Sequence, residues 1–426
     1  MNGFELHMNT REPAFAGQFY PGTKTELNTE LHELFREGTK NISETERLRA
    51  LIAPHAGYIF SGRVAASAFN QISPATEYKK VFVLASSHRY HFKGAAVYTS
   101  GNYRTPLGDI NVDISMAEKL LQSSDVFQNK PEAHDNEHSL EVQLPFLQHK
   151  LNCNFLLVPV ILGTQNIKEI KKIAALLKPY FSKENLFVIS TDFSHYPKFS
   201  DAEMIDSATA DAICLNNPEK LLQVLNDNEQ KKIPNLATSL CGWSSVLTLL
   251  YITENKKLDF QKIEYRNSGH VSVYGDKHRV VGYWAISVSE KQEEVFHLST
   301  TEQEELLLKA RFSIEHYIET GKQGNILPAK IQGSLNIPAG AFISIYIKGE
   351  LRGCIGSFAK LNRTLNEVVQ KNAVSASCDI RFAPLQKDEL NDLEIEISVL
   401  SPMRRIASIE EIELGKHGIF IKKGTN

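Results

Sequence analysis

Three segments of this chain share one layout, a short apolar run that leads straight to a histidine: LIAPHAGY at 51–58, VFVLASSH at 81–88 and LFVISTDFSH at 186–195. Runs of four to six apolar residues closed by Pro, Ser or Asp read as strands of a parallel sheet buried on both faces. Ligands of open α/β sheets bind beyond the carboxyl ends of such strands. His55, His88 and His195 are therefore predicted to share one edge of one sheet. A fourth apolar run, FLLVPVILG at 155–163, ends without a histidine.

At 426 residues the chain exceeds what one hydrophobic core usually organises, which predicts two domains. Strand-like and helix-like segments alternate from 51 to 288: a strand at 50–54, a helix at 61–68, a strand at 81–85, a helix near 114–122, and so on to VVGYWAISV at 280–288. This is α/β patterning. The polar stretch SEKQEEVFHLSTTEQEE at 289–305 has no sheet pattern and marks the junction, giving domains at 1–290 and 291–426. In the second domain, Thr301 and Glu304 are spaced as a capping box. Leu307, Ala310, Ile314, Tyr317 and Ile318 then recur on one helical face until Gly321 stops the run. Strand-like AFISIYIKG at 341–349, a glycine-rich turn at 352–356, a helix near 363–376 and strand-like LEIEISVLS at 393–401 complete a compact α+β unit.

A formal net charge of -3 offers no electrostatic argument for a nucleic-acid or anionic-membrane partner, and neither is expected. The first residues, MNGFELHMNTREPAF, lack the apolar core of a signal peptide, and no run approaches the roughly 18 apolar residues of a membrane helix. The expected location is the cytoplasm. Five cysteines (Cys153, Cys214, Cys241, Cys354, Cys378) stand without CxxC spacing, which argues against a disulfide framework, a zinc ribbon and an iron–sulfur cluster.

Two strand-end histidines suit a metal, because neutral imidazole is the commonest protein ligand for zinc, copper and iron. Cys241 is the best third ligand, since ATSLCGWSSVLTLLYI sets it at the start of an apolar helix where free amides favour a thiolate. A His55/His88/Cys241 set fits iron or copper, with zinc as a further option. Asp192 and His195, three apart in STDFSH, suit a carboxylate that orients an acid/base imidazole. The segment EAHDNEHSLEVQLPFLQHKL at 132–151 carries His134, Glu137, His138 and Glu141 at helical spacing, which suggests contact with substrate or with the ligands rather than ligation. A hydrolytic reading on Ser86 or Ser87 finds no G-x-S-x-G elbow.

REPAFAGQFYPG, APHAGYIFSGRVAA, TPLGDINVD, EHSLEVQLPFL, STDFSHY, CGW and GDKHRVVGYWAI together resemble the Memo family, in that family's order over 11–288. The resemblance implies the fold of class III extradiol dioxygenases, an α/β domain with a mixed or parallel sheet. It also implies metal-ligand positions at His55, His88 and Cys241, with His195 matching the dioxygenases' acid/base histidine. Those enzymes use two histidines and a carboxylate, so Cys241 departs from their pattern. Ring cleavage therefore does not simply carry over.

ILPAKIQGSLNIPAGAFISIYIKGELRGCIGSF and DIRFAPL resemble the AMMECR1 family. Arg352 and Cys354 in its signature LRGCIG, with Asp379 and Arg381 nearby, are a candidate second site. Family members continue past the equivalent of GIFIKKGTN at 418–426, so strand edges there are expected to be covered by further chain or by another protein. Both families resemble parts of a prokaryotic system whose third part is a radical SAM protein, the expected partner. The leading expectation is a dioxygenase-like metal redox protein. The alternative is a peptide-binding adaptor that uses the same cleft through Tyr58, Tyr196 and Trp243.

Overall fold

The computed structural model describes residues 10–41, 47–151, 155–272, 275–290, 296–324, 334–358, 363–403, 412, 414 and 418–419. Cys153 and most of 404–426, with the strand-edge expectation that falls there, lie outside the described residues. The chain divides into two units, Met1–Gln292 and Glu293–Asn426.

In the first unit the strands are β1 (Leu48–Ala53), β2 (Lys80–Ser86), β3 (Ala95–Val97), β4 (Tyr103–Thr105), β5 (Gly108–Ile110), β6 (Phe127–Asn129), β7 (Leu156–Leu162), β8 (Asn185–Ser190), β9 (Leu258–Asn267) and β10 (Gly282–Glu290). The helices are α1 (Lys24–Glu37), α2 (Tyr58–Phe69), α3 (Ile114–Ser123), α4 (Pro131–Asp135), α5 (His138–Glu141), α6 (Leu144–Leu151), α7 (Ile167–Leu177), α8 (Phe199–Cys214), α9 (Pro218–Gln230) and α10 (Trp243–Thr253). Eight strands form one mixed sheet in the order β6-β3-β7-β2-β8-β1-β10-β9. Its centre, β7-β2-β8-β1, is parallel, and β10 and β9 close one side antiparallel.

Alternate residues of the central strands feed two separate cores. Leu51, Val83, Leu157 and Val188 pack on the face shared with α1, α2 and α6. Ile52, Leu84, Val158 and Ile189 pack on the face shared with α7, α8 and α10. Burying each such side chain contributes about 1.5–3 kcal/mol, so continuous apolar runs are what this sheet requires. The register brings Ala53 and Ala85 level on either side of Ser190. The three histidine-bearing strands are thus neighbours, and the histidine-free β7 lies outside them.

The second unit contains α11 (Thr300–Thr320), α12 (Leu365–Ser377) and an antiparallel sheet ordered β12-β11-β13, from β11 (Gly340–Ile347), β12 (Glu350–Ser357) and β13 (Leu393–Leu400). Two expectations are corrected here. The capping box belongs to Ser299 and Glu302, not Thr301 and Glu304. The helix consequently buries Leu306, Ala310 and Ile314 while Leu307 stays exposed, and Gly321 ends it in a left-handed conformation as expected. Nor is 352–356 a turn, because LRGCIG lies within β12, paired with β11. Its glycines answer to close packing: a Cβ on Gly353 would meet the Ala376 carbonyl at 2.1 Å, and one on Gly356 the Phe342 ring at 1.9 Å.

On α8, Asp206 is fully buried beneath the loop that carries His195. Its carboxylate accepts from the Ser194 N–H (2.9 Å), the Ser194 hydroxyl (3.0 Å) and the Tyr265 hydroxyl (2.9 Å). Burial outweighs these bonds and pushes the carboxyl up to about 7. The folded chain then keeps a proton that the unfolded chain releases near the ordinary Asp value of about 4. This contribution to stability falls as pH rises between those two values and stays reduced above the higher one. In urea unfolding, wild type should therefore lose ground to Asp206→Asn on going from pH 4 to pH 8. A gap that does not change with pH would contradict this assignment.

Candidate metal centre

His55 and His88 each follow a central strand by two residues, so the sheet itself brings them together, with ring centroids 5.0 Å apart. What aims them is the hydrogen bonding of their Nδ1 atoms. The Ser190 hydroxyl donates to the Ser139 carbonyl (2.5 Å) and accepts from Gln143 Nε2 (2.9 Å), which leaves it only acceptor capacity toward His55. His55 Nδ1, 2.9 Å away, must then carry a proton, and Nε2 faces Cys241 Sγ at 3.3 Å. His88 is fixed in the same way by Glu137. That carboxylate accepts from the His88 backbone N–H (2.7 Å) and faces its Nδ1 (2.9 Å).

One donor atom from each of His55, His88 and Cys241 lies within 4.8 Å of the others. Ligand bonds of about 2.0–2.3 Å to a single ion need a cluster of this size. Two imidazoles and a thiol with their other hydrogen bonds already satisfied make a donor set that fits a transition metal. His55 is buried, whereas the His88 side chain is 28% exposed, so the cluster opens toward solvent on the His88 side.

Cys241 precedes α10, and its sulfur receives the Asp192 backbone N–H at 3.2 Å. Burial pushes the thiol up, but the charge of His55 and the neighbouring imidazoles of His195 and His88 outweigh it and hold the thiol well below its ordinary range. Burial likewise opposes a charge on His88, yet its contacts with Cys241 and Glu137 raise it to about 10. His138 is pushed down to about 3 by burial and by the neighbouring charges of His55 and His88, so it is the neutral member of the group. Its ring lies 4.7 Å from His88 and 5.3 Å from His55, between them and Phe19. A second set of donors, His88, Glu137 and His138, shares the same spot.

His195 sits in bridges to Thr238 and Val281, and its Nε2 is buried without a hydrogen-bond partner. The Asp192 carboxylate accepts the backbone N–H of His55 at 2.7 Å; its hydrogen bond goes there rather than to the His195 ring. Burial opposes a charge on His195, but Cys241 and, after it, the nearby charge of Asp192 raise its affinity for a proton.

The helical spacing read for His134, Glu137, His138 and Glu141 is interrupted, because α4 ends at Asp135 and α5 begins at His138. His134 and His138 consequently do not act together. His134 is buried, faces the Tyr103 hydroxyl through Nδ1 (2.7 Å), and gives its carbonyl to Arg11 Nε (2.7 Å). Glu141 is wholly buried in an ion pair with Arg11 (2.7 Å), and also accepts from the Tyr20 hydroxyl (2.6 Å) and from the N–H groups of Ala14 and Phe15. Tyr58 is buried with its hydroxyl on the Val142 carbonyl, and Trp243 packs against the core; of the three aromatic contacts expected, only Tyr196 is exposed.

Sequence reasoning named Glu137 in NEHSLE as a contact of substrate or ligands without assigning it the aiming of His88, and it passed over the roles of Ser190, Gln143 and Arg11. The other three act through tertiary hydrogen bonds that leave no local pattern.

In the second unit, Cys354, Asp379 and Arg381 meet. The buried Asp379 carboxylate accepts from the Cys354 N–H (3.0 Å) and from Arg381 Nη2 (2.7 Å), and the hydrogen bonds from Arg381 and Cys354 hold its carboxyl well below the usual range. Arg352 instead makes a two-pronged bond to Glu389 at 2.8 and 2.9 Å. These groups are matched to one another, as expected of a structural brace.

A family model described as Memo-like protein matches residues 11–287, and one described as AMMECR1 matches residues 307–426. A MEMO1 family protein of Methanosarcina mazei is 35% identical over 287 residues, 66% of this chain and 100% of its own length. Another from Methanosarcina barkeri is 37% identical over 284 residues, 65% of this chain and 99% of its own. Among solved structures, an uncharacterized protein from Pyrococcus horikoshii is 35% identical over 25% of this chain and 55% of its own, with a TM-score of 0.22 that carries no argument about fold.

Truncating Arg11 would strand the Glu141 carboxylate in the interior. Arg11→Met is expected to destabilise the first unit by about 3–5 kcal/mol, read from chemical denaturation. A loss below about 1 kcal/mol would mean that the pair holds nothing together.

Proposed function

The chain belongs to the Memo family, with an AMMECR1 domain following, and from that premise we propose that it is a metal-dependent redox protein whose centre is held by His55, His88 and Cys241. The observation that carries this reading is that donor atoms of His55, His88 and Cys241 lie within 4.8 Å of one another, while Ser190 and Glu137 hold the Nδ1 edges of the two imidazoles. A thiolate with two imidazoles favours iron or copper, with zinc as the further option. Bound there, a metal would supply Lewis-acid and, for iron or copper, one-electron chemistry.

The chain's own groups divide the remaining work. His195, with a buried and unspent Nε2, is the group that takes and returns a proton. Asp192 holds the His55 backbone and adds negative charge beside His195. His138, kept neutral, lines the open side and meets a substrate. The peptide-adaptor alternative is less well supported, since Tyr58 is buried and Trp243 is half-buried against the core. The AMMECR1 domain as recruiter or gate of the substrate, and a radical SAM protein as partner, extend the proposal on family resemblance. Co-purification of the partner from cells producing both proteins tests that extension.

Purified without a histidine tag and reconstituted anaerobically with iron or copper, wild type should bind one metal per chain. His55→Ala and Cys241→Ser should lose it while keeping their circular dichroism. Full occupancy in both variants would remove these residues as ligands. Glu137→Gln, which weakens the hold on the His88 ring, should reduce metal affinity about 10–100-fold. Metal titration against a chelator measures this, and an unchanged affinity would show that Glu137 does not orient His88.

A further inference from the structure

Beside His195 the backbone does something that side chains rarely tolerate. Tyr196 has φ of +72°, a left-handed conformation that costs a non-glycine residue on the order of 1–3 kcal/mol. The conformation is imposed from both sides: His195 N–H donates to Thr238, Tyr196 N–H to Val280 (2.7 Å), and Val280 N–H to Pro197 (2.9 Å). Its consequence is the position of the ring. The phenol stands edge-on to the His195 imidazole, centroids 5.5 Å apart, and the Arg279 guanidinium lies over it at 4.2 Å.

A guanidinium with its face on an aromatic ring keeps its N–H edge free, and that edge matches the two oxygens of a carboxylate or phosphate. Elsewhere in this unit Arg11, Arg49, Arg63 and Arg104 each spend that edge on a carboxylate. Arg279 has no carboxylate partner among the described residues, and neither have Arg36, Arg47, Arg89 and Arg266; what sets Arg279 apart is that the ring beneath it borders His195. The nearest acid in sequence, Asp276, caps the His278 N–H at 2.8 Å. A strained tyrosine thus holds an unspent arginine one ring away from the acid/base histidine.

We propose that the mouth of this cleft binds an anionic small molecule, and that Arg279, braced on Tyr196, grips its carboxylate or phosphate group. The proposal rests on the reading of the cleft as a substrate site and names the chemical class of that substrate. Arg279 is a specificity residue here, since it selects charge without touching the metal ligands.

Calorimetric titration of the full chain with benzoate, inorganic phosphate and neutral benzamide, in cobalt-loaded and metal-free forms, tests this. At least one anion should bind about tenfold more tightly than benzamide. Arg279→Gln should remove that preference without changing benzamide binding, and Arg279→Lys should keep part of it. Whichever anion prevails assigns the group as carboxylate or phosphate. Benzoate and phosphate no better than benzamide, or an anion preference intact in Arg279→Gln, would overturn the proposal. Cobalt loading, followed by the thiolate-to-metal absorption band, is read separately. A wild type that loads cobalt but ignores anions defeats this proposal alone, whereas anion binding through Arg279 in a chain that takes no cobalt defeats the metal reading alone.

Discussion

Ser190 has one proton and two lone pairs, and all are committed: the proton to the Ser139 carbonyl, the lone pairs to Gln143 and His55. Because the hydroxyl has nothing left to donate, His55 always carries a proton on Nδ1, which leaves Nε2 to face Cys241. The hub joins three elements. Ser190 ends the central strand β8, Ser139 lies in α5, and Gln143 also bonds the Pro54 carbonyl beside His55. The Nδ1 proton of one imidazole is thus a property of the sheet edge as a whole.

The second imidazole depends on a longer chain of supports. His88 is aimed by Glu137, and Glu137 sits in the break between α4 and α5, where its backbone N–H makes only a long turn bond to the His134 carbonyl (3.4 Å). Arg11 braces the break. Its guanidinium reaches the carbonyls of His134 (2.7 Å), Asp135 (3.1 Å) and Glu137 (3.4 Å), while its charge is balanced by Glu141. Burying an ion pair rarely adds stability over an apolar replacement, because desolvation offsets the attraction. Its value here lies in directional bonds: an apolar side chain would fill the volume but leave three carbonyls unpaired and Glu137 free to move. Tyr20, Ala14 and Phe15 complete the shell around Glu141, so the N-terminal segment 11–20 is built into the support of a ligand far away in sequence.

The parts of this design legible in the sequence were those written locally. Continuous apolar runs ended by histidine disclosed the parallel strands and the shared edge, because burial on both faces admits no alternation. The break at 136–137 was not legible, since His134, Glu137, His138 and Glu141 fit a helical period and only tertiary bonds to Arg11 favour the interruption. The same limit explains LRGCIG. Glycine signals a turn or a close neighbour with equal force, and only the packing of β12 against Ala376 and Phe342 decides between them. Ser299 and Thr301 both precede a glutamate by three residues, so the start of α11 was ambiguous by two positions.

Cys241, the proposed third ligand, distinguishes this cluster from one built on a carboxylate. A carboxylate is ionised at neutral pH without help, whereas a thiol, ordinarily near 8.5, must be made into an anion by its surroundings. Here His55, His88 and His195 and the Asp192 amide supply that environment. Metal-free, the group is a thiolate among imidazoles that compete for positive charge, and His138 shows the strain by being driven neutral. Ligands give up their protons when they take a cation, so one multivalent charge can replace several mutually repelling ones. The gain comes with an exposure that a carboxylate lacks, because a thiolate is open to oxidation. If the proposed metal reading holds, a chain that keeps sulfur at this position would bind its metal well only while Cys241 stays reduced, which couples metal loading to the redox state of the cysteine.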